Sequence, residues 1–201
     1  MSEKETSIRK NRKNEILDAA KKVFIRKGFD ATTMEEIIFE TSLSKGGFYY
    51  YYKSTVDILH DLMREGMAYR MSKVKEFMAT YSGELDKNAL AEMIVDKMLD
   101  QNELMSIYVI YLQAAKNNKE LKELYPILVN EALYSDYGGD VDGIKLGDFK
   151  YNTSDFIIFF MNTVMLGCEI LDARDNFIRN RGFFIDVVKL FFSYYDKGKI
   201  Q

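Results

Sequence analysis

Proline is nearly missing from this chain: Pro126 is the one example in 201 residues. Folds built from many short strands and tight turns use proline freely, so its scarcity points away from them and towards long helices. Cysteine is as scarce. Cys168 stands alone, so no internal disulfide can form, which fits a reducing compartment. The opening segment MSEKETSIRKNRKN has no apolar stretch and does not read as a signal peptide. The longest apolar run, residues 156–168, is interrupted by Asn162 and Thr163 and is too short for a bilayer. A cytoplasmic protein without a membrane span is expected. No set of metal-ligating side chains, no nucleophile with an adjacent base and no phosphate-cradling glycine loop is visible. The sequence therefore predicts neither an enzyme nor a cofactor or metal.

What is present is a globular composition, 47% apolar and 29% charged, in a chain long enough to bury a real core. Net charge is only −3, but it is unevenly spread: residues 1–53 sum to +3, the remainder to −6, and residues 1–27 alone to +5. A basic head on an acidic body concentrates attraction for nucleic acid at one end. Basic amino-termini also occur without such a partner, so the asymmetry gains meaning only beside a motif.

Periodicity predicts helices throughout. The first covers about residues 10–27, with Ile16, Ala20, Val23 and Phe24 on one stripe and Gly28 at the C-cap. The second starts at Thr32 or Thr33, each with a glutamate three residues on to complete a capping box, and buries Met34, Ile37 and Ile38. Residues 41–43 turn the chain. Ser44 caps a short third helix, and Ser54 with Asp57 caps a fourth running through Ala68 towards Tyr81. Further helices are expected around Leu90, Ile94 and Met98, then over residues 104–115, 121–133, 155–172 and 183–195. Pro126 kinks one of them, and a glycine-bearing loop covers 136–152.

The third helix carries the most informative chemistry. Ser44, Lys45, Gly46 and Gly47 open it, and Tyr49, Tyr50, Tyr51 and Tyr52 follow. A helix start with a cation, two residues lacking side chains and several hydroxyls suits a phosphate backbone. Each glycine costs about 1 kcal/mol against alanine inside a helix. Close approach to DNA would offset that; the plain alternative is a loop. Successive residues turn by roughly 100°, so Phe48 and Tyr52 should pack inward while Tyr49, Tyr50 and Tyr51 face DNA backbone and solvent. Lys45 can reach a guanine edge or a phosphate. Thr33 offers a hydroxyl or amide to a phosphate. Arg9, Lys10, Arg12 and Lys13 either reach a neighbouring phosphate or minor groove, or form a solvated arm.

Residues 16–59 resemble the DNA-binding region of the TetR family of bacterial transcriptional regulators. The matching positions are Ala19, Ala20, Phe24, Gly28, Thr32, Thr33, Glu36, Ile37, Ser44, Lys45, Gly46, Tyr49 and Leu59, spread over about a quarter of the chain. The resemblance implies an all-α protein. A three-helix helix-turn-helix DNA-binding head would occupy residues 1–53, and a larger helical bundle for effector binding and dimerisation residues 54–201. Three positions depart from the pattern. Ser42 stands where the family has a turn glycine, and a left-handed backbone there would cost about 1 kcal/mol. Tyr52 replaces the phenylalanine closing the small core, so its hydroxyl needs a partner or an edge to water. Thr55 replaces a lysine that contacts phosphate, and Lys53 takes over part of that contact.

The resemblance also implies an effector pocket between helices four and eight. Met63, Met67, Met71, Tyr108, Tyr111, Tyr125, Phe159, Phe160 and Met161 are its candidate lining. Such side chains suit bulky apolar ligands, though at helical spacing they are more often plain core. The last helix is apolar over most of its circumference, leaving too little for water. A homodimer seam is expected, drawing on Thr163, Gly167, Phe184, Val187, Val188, Phe191 and Tyr195; the alternative is a helix sandwiched inside one domain. Asp155, Asn162 and Glu169 read as a wet stripe, His60 as a local hydrogen-bonder, and Asp140, Asp142 and Asp148 lack the spacing of a calcium loop. The function expected is a ligand-responsive, sequence-specific DNA-binding transcriptional regulator, by family a repressor. It would bind a near-palindromic double-stranded operator as a homodimer and be released by a small apolar or aromatic effector. A helical DNA-binding scaffold without effector is the alternative.

Overall fold

The computed structural model describes residues 3–80, 86–134 and 156–195. Among them lie ten helices and no strand. They are α1 (Glu3–Lys27), α2 (Met34–Phe39), α3 (Lys45–Tyr51), α4 (Thr55–Thr80) and α5 (Lys87–Leu99), then α6 (Glu103–Ala115), α7 (Lys119–Tyr134), α8 (Phe156–Ile170), α9 (Arg174–Arg179) and α10 (Arg181–Tyr195). The loop expected over 136–152, with Asp140, Asp142 and Asp148, lies outside the described residues, as does Asp155. No helix among them is long and apolar enough to cross a membrane.

Helix α1 begins well before the apolar stripe, because its first turns are rich in Glu, Lys and Arg, which favour helix. Arg9, Lys10, Arg12 and Lys13 therefore sit on a helix, the first three of them exposed. At the other end Gly28 takes φ +78, and its N–H returns to the Phe24 carbonyl at 2.7 Å. That is the left-handed cap for which glycine is the unstrained choice.

The chain forms two compact units: Met1–Gly66 with Ser106–Tyr125, and Met67–Met105 with Pro126–Gln201. The division expected after residue 53 thus falls inside the first unit, which keeps the opening turns of α4 because Ile58, Leu59 and Leu62 are fully buried there. Ile16, Ala20, Val23, Phe24, Ile37 and Phe48 complete that interior.

In the second unit α5 contacts both α8 and α10. Ala91, Val95 and Met98 meet Val164 and Cys168 of α8 and Phe184, Val188 and Phe191 of α10. Helix α8 ends through Asp172 at φ 52, with the N–H groups of Leu171 and Ala173 both returning to the Gly167 carbonyl at 3.2 Å. Asn180 then separates α9 from α10, so the single terminal helix expected is preceded by a short extra one. Arg174 of α9 is buried. Its guanidinium donates to the Leu99 carbonyl at 2.8 Å, to the Asp100 carbonyl, and pairs with Glu169. Glu169 is accordingly part of a buried ion pair and not of a wet stripe.

This core corrects the expected seam. Phe184, Val188 and Phe191 are buried within their own chain and leave little surface to offer a second copy. Gly167 is closed as well: a Cβ there would lie 3.0 Å from Cε2 of Phe177 in α9. Helix α10 turns its other side outward, with Phe183, Leu190 and Tyr194 exposed and Val187 half-buried. On α8 the exposed positions are Phe156, Phe159, Thr163 and Ile170. The side chain of Tyr195 lies outside the described ones.

Candidate nucleic-acid interface

Three short-range devices build the head. Thr33 is the N-cap of α2: its hydroxyl accepts from the Glu36 N–H at 3.4 Å while its own N–H donates to Glu36 Oε2 at 2.9 Å, a complete capping box. Ser44 caps α3, accepting from the Gly47 N–H at 3.2 Å. Ser54 and Asp57 exchange the same pair of bonds at the start of α4, at 2.9 and 3.1 Å. Side chains that bond the free N–H groups of a helix start fix both its beginning and the direction of the chain entering it.

Long-range polar ties then hold the pieces together. Tyr52 is buried, and its hydroxyl donates to Asp61 Oδ2 at 2.8 Å; Lys13 of α1 donates to the same oxygen at 2.9 Å. Burial, then the bond to Asp61, push the Tyr52 phenol well above its ordinary value. Burial alone would raise Asp61, but the bonds from Lys13 and Tyr52 outweigh it and hold the carboxyl below its usual range. Ser42 does not adopt the left-handed turn expected of a glycine replacement, since Asp172 is the non-glycine positive-φ residue among the described residues. Its N–H instead donates to Glu15 Oε1 at 2.6 Å and its hydroxyl accepts from Arg12 at 2.9 Å. Those bonds from Ser42, then Arg12, lower Glu15 to about 2. Glu36, bonded by Lys27 and then by Thr33, is likewise lowered to about 2.

The outward side of α3 is assembled on this frame. A Cβ added at Gly46 would meet nothing within 4 Å, so the helix there borders open space. Gly47 is more enclosed, with Ser44 Oγ at 3.2 Å from such a Cβ. Lys45 is exposed; its ammonium reaches Glu35 Oε1 at 3.0 Å and lies 5.9 Å from the Tyr49 ring. The bond to Glu35 raises Lys45 and that from Lys45 lowers Glu35. An exposed pair of this kind contributes little and exchanges readily for another partner. Tyr50 is 67% exposed and stands edge-on to Tyr51 at 5.1 Å. Phe48 and Tyr52 face inward, and Tyr49 and Tyr51 are half-buried. Lys53 is exposed and its ammonium caps the end of α3 at the Tyr49 carbonyl.

Three candidates are otherwise engaged. Both donors of Thr33 point to Glu36, its hydroxyl at 3.0 Å, so a phosphate there would have to displace that carboxylate. Arg12 and Lys13 belong to the internal ties just described. Sequence reasoning missed Glu15, Glu35 and Asp61, whose partners Ser42, Lys45, Tyr52 and Lys13 lie 9 to 48 residues away, beyond any local pattern.

Of the residues expected around an effector, Met63, Tyr108 and Tyr111 are buried in the first unit, where the Tyr111 hydroxyl donates to the Leu121 carbonyl at 2.7 Å. In the second unit Met67, Met71, Phe160 and Met161 are half-buried and Phe159 is exposed. The Tyr125 side chain lies outside the described ones. His60 Nε2 is buried without a partner among the described residues, so no local hydrogen bond forms at that nitrogen. No group of three His, Cys, Asp or Glu side chains among the described residues could hold a metal.

An all-α chain whose amino-terminal helices present a capped, glycine-opened helix on a tied frame defines a helix-turn-helix protein. Residues 16–62 match the family described as bacterial regulatory proteins, tetR family. It is 30% identical over 125 residues to the uncharacterized HTH-type transcriptional regulator YfiR of Bacillus subtilis strain 168, covering 61% of each chain. A second relative from that strain, the uncharacterized HTH-type transcriptional regulator YerO, is 26% identical over 174 residues, 82% of this chain and 60% of its own. The HTH-type transcriptional regulator QacR of Staphylococcus aureus strain Mu50 is 38% identical over 53 residues, 26% of this chain and 28% of its own. The chain thus spans about 60% of the length of the first two relatives.

Proposed function

We propose that this protein regulates transcription by binding a near-palindromic double-stranded operator as a homodimer, and that a small, largely apolar effector changes that binding. The observation that carries the DNA-binding reading is the outward face of α3: Lys45 exposed, and no atom within 4 Å of a Cβ at Gly46. Backbone can approach a duplex closely only where side chains stand clear of it. Tyr49, Tyr50, Tyr51, Ser44, Gly47 and Lys53 surround that point and supply hydroxyls and charge. Thr33 joins them if Glu36 gives way.

The dimer reading gains from the exposed apolar side of α8 and α10, where Phe156, Phe159, Phe183, Leu190 and Tyr194 face outward in one unit. Apolar area of this kind on adjacent helices favours a second protein surface. One small head reads few base pairs, and a two-fold pair reads two half-sites about one helical turn apart or somewhat more. The test is a gel-shift series on the DNA upstream of the protein's own coding region, with and without apolar aromatic compounds. Binding weakened by such a compound supports the full reading. Binding that no compound alters leaves a DNA-binding scaffold, and no binding to any duplex overturns the proposal.

A further inference from the structure

Glu35 and Lys45 form an ion pair unlike its neighbours in the first unit. Lys13 with Asp61 and Lys21 with Glu65 each draw one partner into the fold. In the Glu35–Lys45 pair both side chains stand out, 62% and 68% exposed, yet Oε1 and Nζ lie 3.0 Å apart. The pair joins the two helices of the motif, since Glu35 is on α2 and Lys45 opens α3 beside the open Gly46. Tyr49, four residues on, holds its ring 5.9 Å from the same ammonium. The bond from Lys45 keeps the Glu35 carboxyl below its ordinary value, so it is an anion at neutral pH.

A carboxylate in that place works against phosphate binding, because it cancels the charge of the lysine and repels the duplex backbone. What the pair offers instead is a donor and an acceptor side by side. The major-groove edge of a base pair offers the same. Guanine O6 and cytosine N4 are bonded to each other, so they lie about 2.9 Å apart. Towards the groove the first keeps a lone pair and the second an N–H. Lys45 Nζ donating to O6, and Glu35 Oε1 accepting from N4, close a ring of four hydrogen bonds without opening either pair. A further ammonium hydrogen then reaches guanine N7. Thymine O4 with adenine N6 supplies the same acceptor and donor but not that added bond. With adenine or cytosine on the lysine side, amino group faces ammonium and keto oxygen faces carboxylate, and both contacts repel. We propose that Glu35 and Lys45 together read one base pair of each half-site, requiring a keto base on one strand, guanine before thymine. This deepens the DNA-binding reading above, on which it rests, by making Glu35 a specificity-determining residue.

The full chain is mixed with a randomised duplex pool, and the retained duplexes are sequenced. One position in each half-site should carry guanine, then thymine, on one strand, with adenine and cytosine depleted roughly tenfold or more. Glu35→Ala should lose that depletion at this position alone. It should also bind unselected duplex more tightly, since a carboxylate has left the neighbourhood of the phosphates. In gel shifts on the selected site, N4-methylcytosine opposite the guanine should weaken the parent about tenfold and Glu35→Ala by no more than about twofold. The methylated duplex tests the parent chain directly, without any substitution. Bound duplexes whose preferences Glu35→Ala leaves unchanged at every position overturn this proposal and leave DNA binding standing. So does a parent that binds the methylated site as well as the plain one. If no duplex is retained, both readings fall.

Discussion

At the scale of single residues, Gly46 separates folding from function. Its Cβ position is open, so Gly46→Ala meets no clash and should raise stability by about 0.5–1 kcal/mol in urea melts. Under the proposed function the same methyl group lies where DNA approaches, so operator affinity should fall several-fold in a gel shift. If affinity is kept, α3 does not enter a groove. Lys45→Ala should weaken operator binding and flatten its salt dependence by at most about one unit of slope. Tyr52→Phe should cost about 1 kcal/mol, because the Asp61 carboxylate loses one of its two donors in a partly buried place. The inward placing of Phe48 and Tyr52 was legible from helical spacing alone. That the Tyr52 hydroxyl would find Asp61, nine residues on and on another helix, was not, because only the packed fold sets that distance.

Elements were legible where their ends are written locally. The capping pairs Thr33 with Glu36 and Ser54 with Asp57, the cap Ser44 and the left-handed Gly28 all lie where sequence pattern placed them, since each device needs only three or four adjacent residues. The break at Asn180 and the ion pair of Glu169 with Arg174 were not legible, because apolar periodicity continues past both. Arg174→Met removes one partner from buried carbonyls and a carboxylate, and should destabilise the protein by about 3–5 kcal/mol. The head has its own acid sensitivity. Glu15 and Glu36 are lowered from 4.5 to about 2 by bonds that tie α1 to the turn and the end of α1 to α2. A lowered carboxylate contributes stability in full above its unfolded value and loses it as pH falls through the folded one. Stability should therefore decline from near pH 4.5 and level near pH 2, as followed by denaturant midpoints. Glu15→Gln combined with Glu36→Gln should flatten that decline.

For the whole molecule, the apolar character of the last helix signalled more than one buried side, but sequence could not say which side faces the chain's own core. A rotation of about 100° per residue separates Phe183 from Phe184, and packing against α5 decides between them. The outward set gives the test. Phe183→Glu with Leu190→Glu should leave the fold intact, since both side chains are exposed, and should shift sedimentation at micromolar concentration to a single-chain species. Affinity for a full palindrome should then drop to that for a half-site.

One carboxylate, Asp61, receives both the hydroxyl that closes α3 and the ammonium of Lys13 on α1, while itself riding on α4. A joint fastened at three members has no hinge of its own. Displacing the first turns of α4 would strain both bonds at once, so Asp61 couples the place of that helix to α1 and to the closed end of α3 within the first unit.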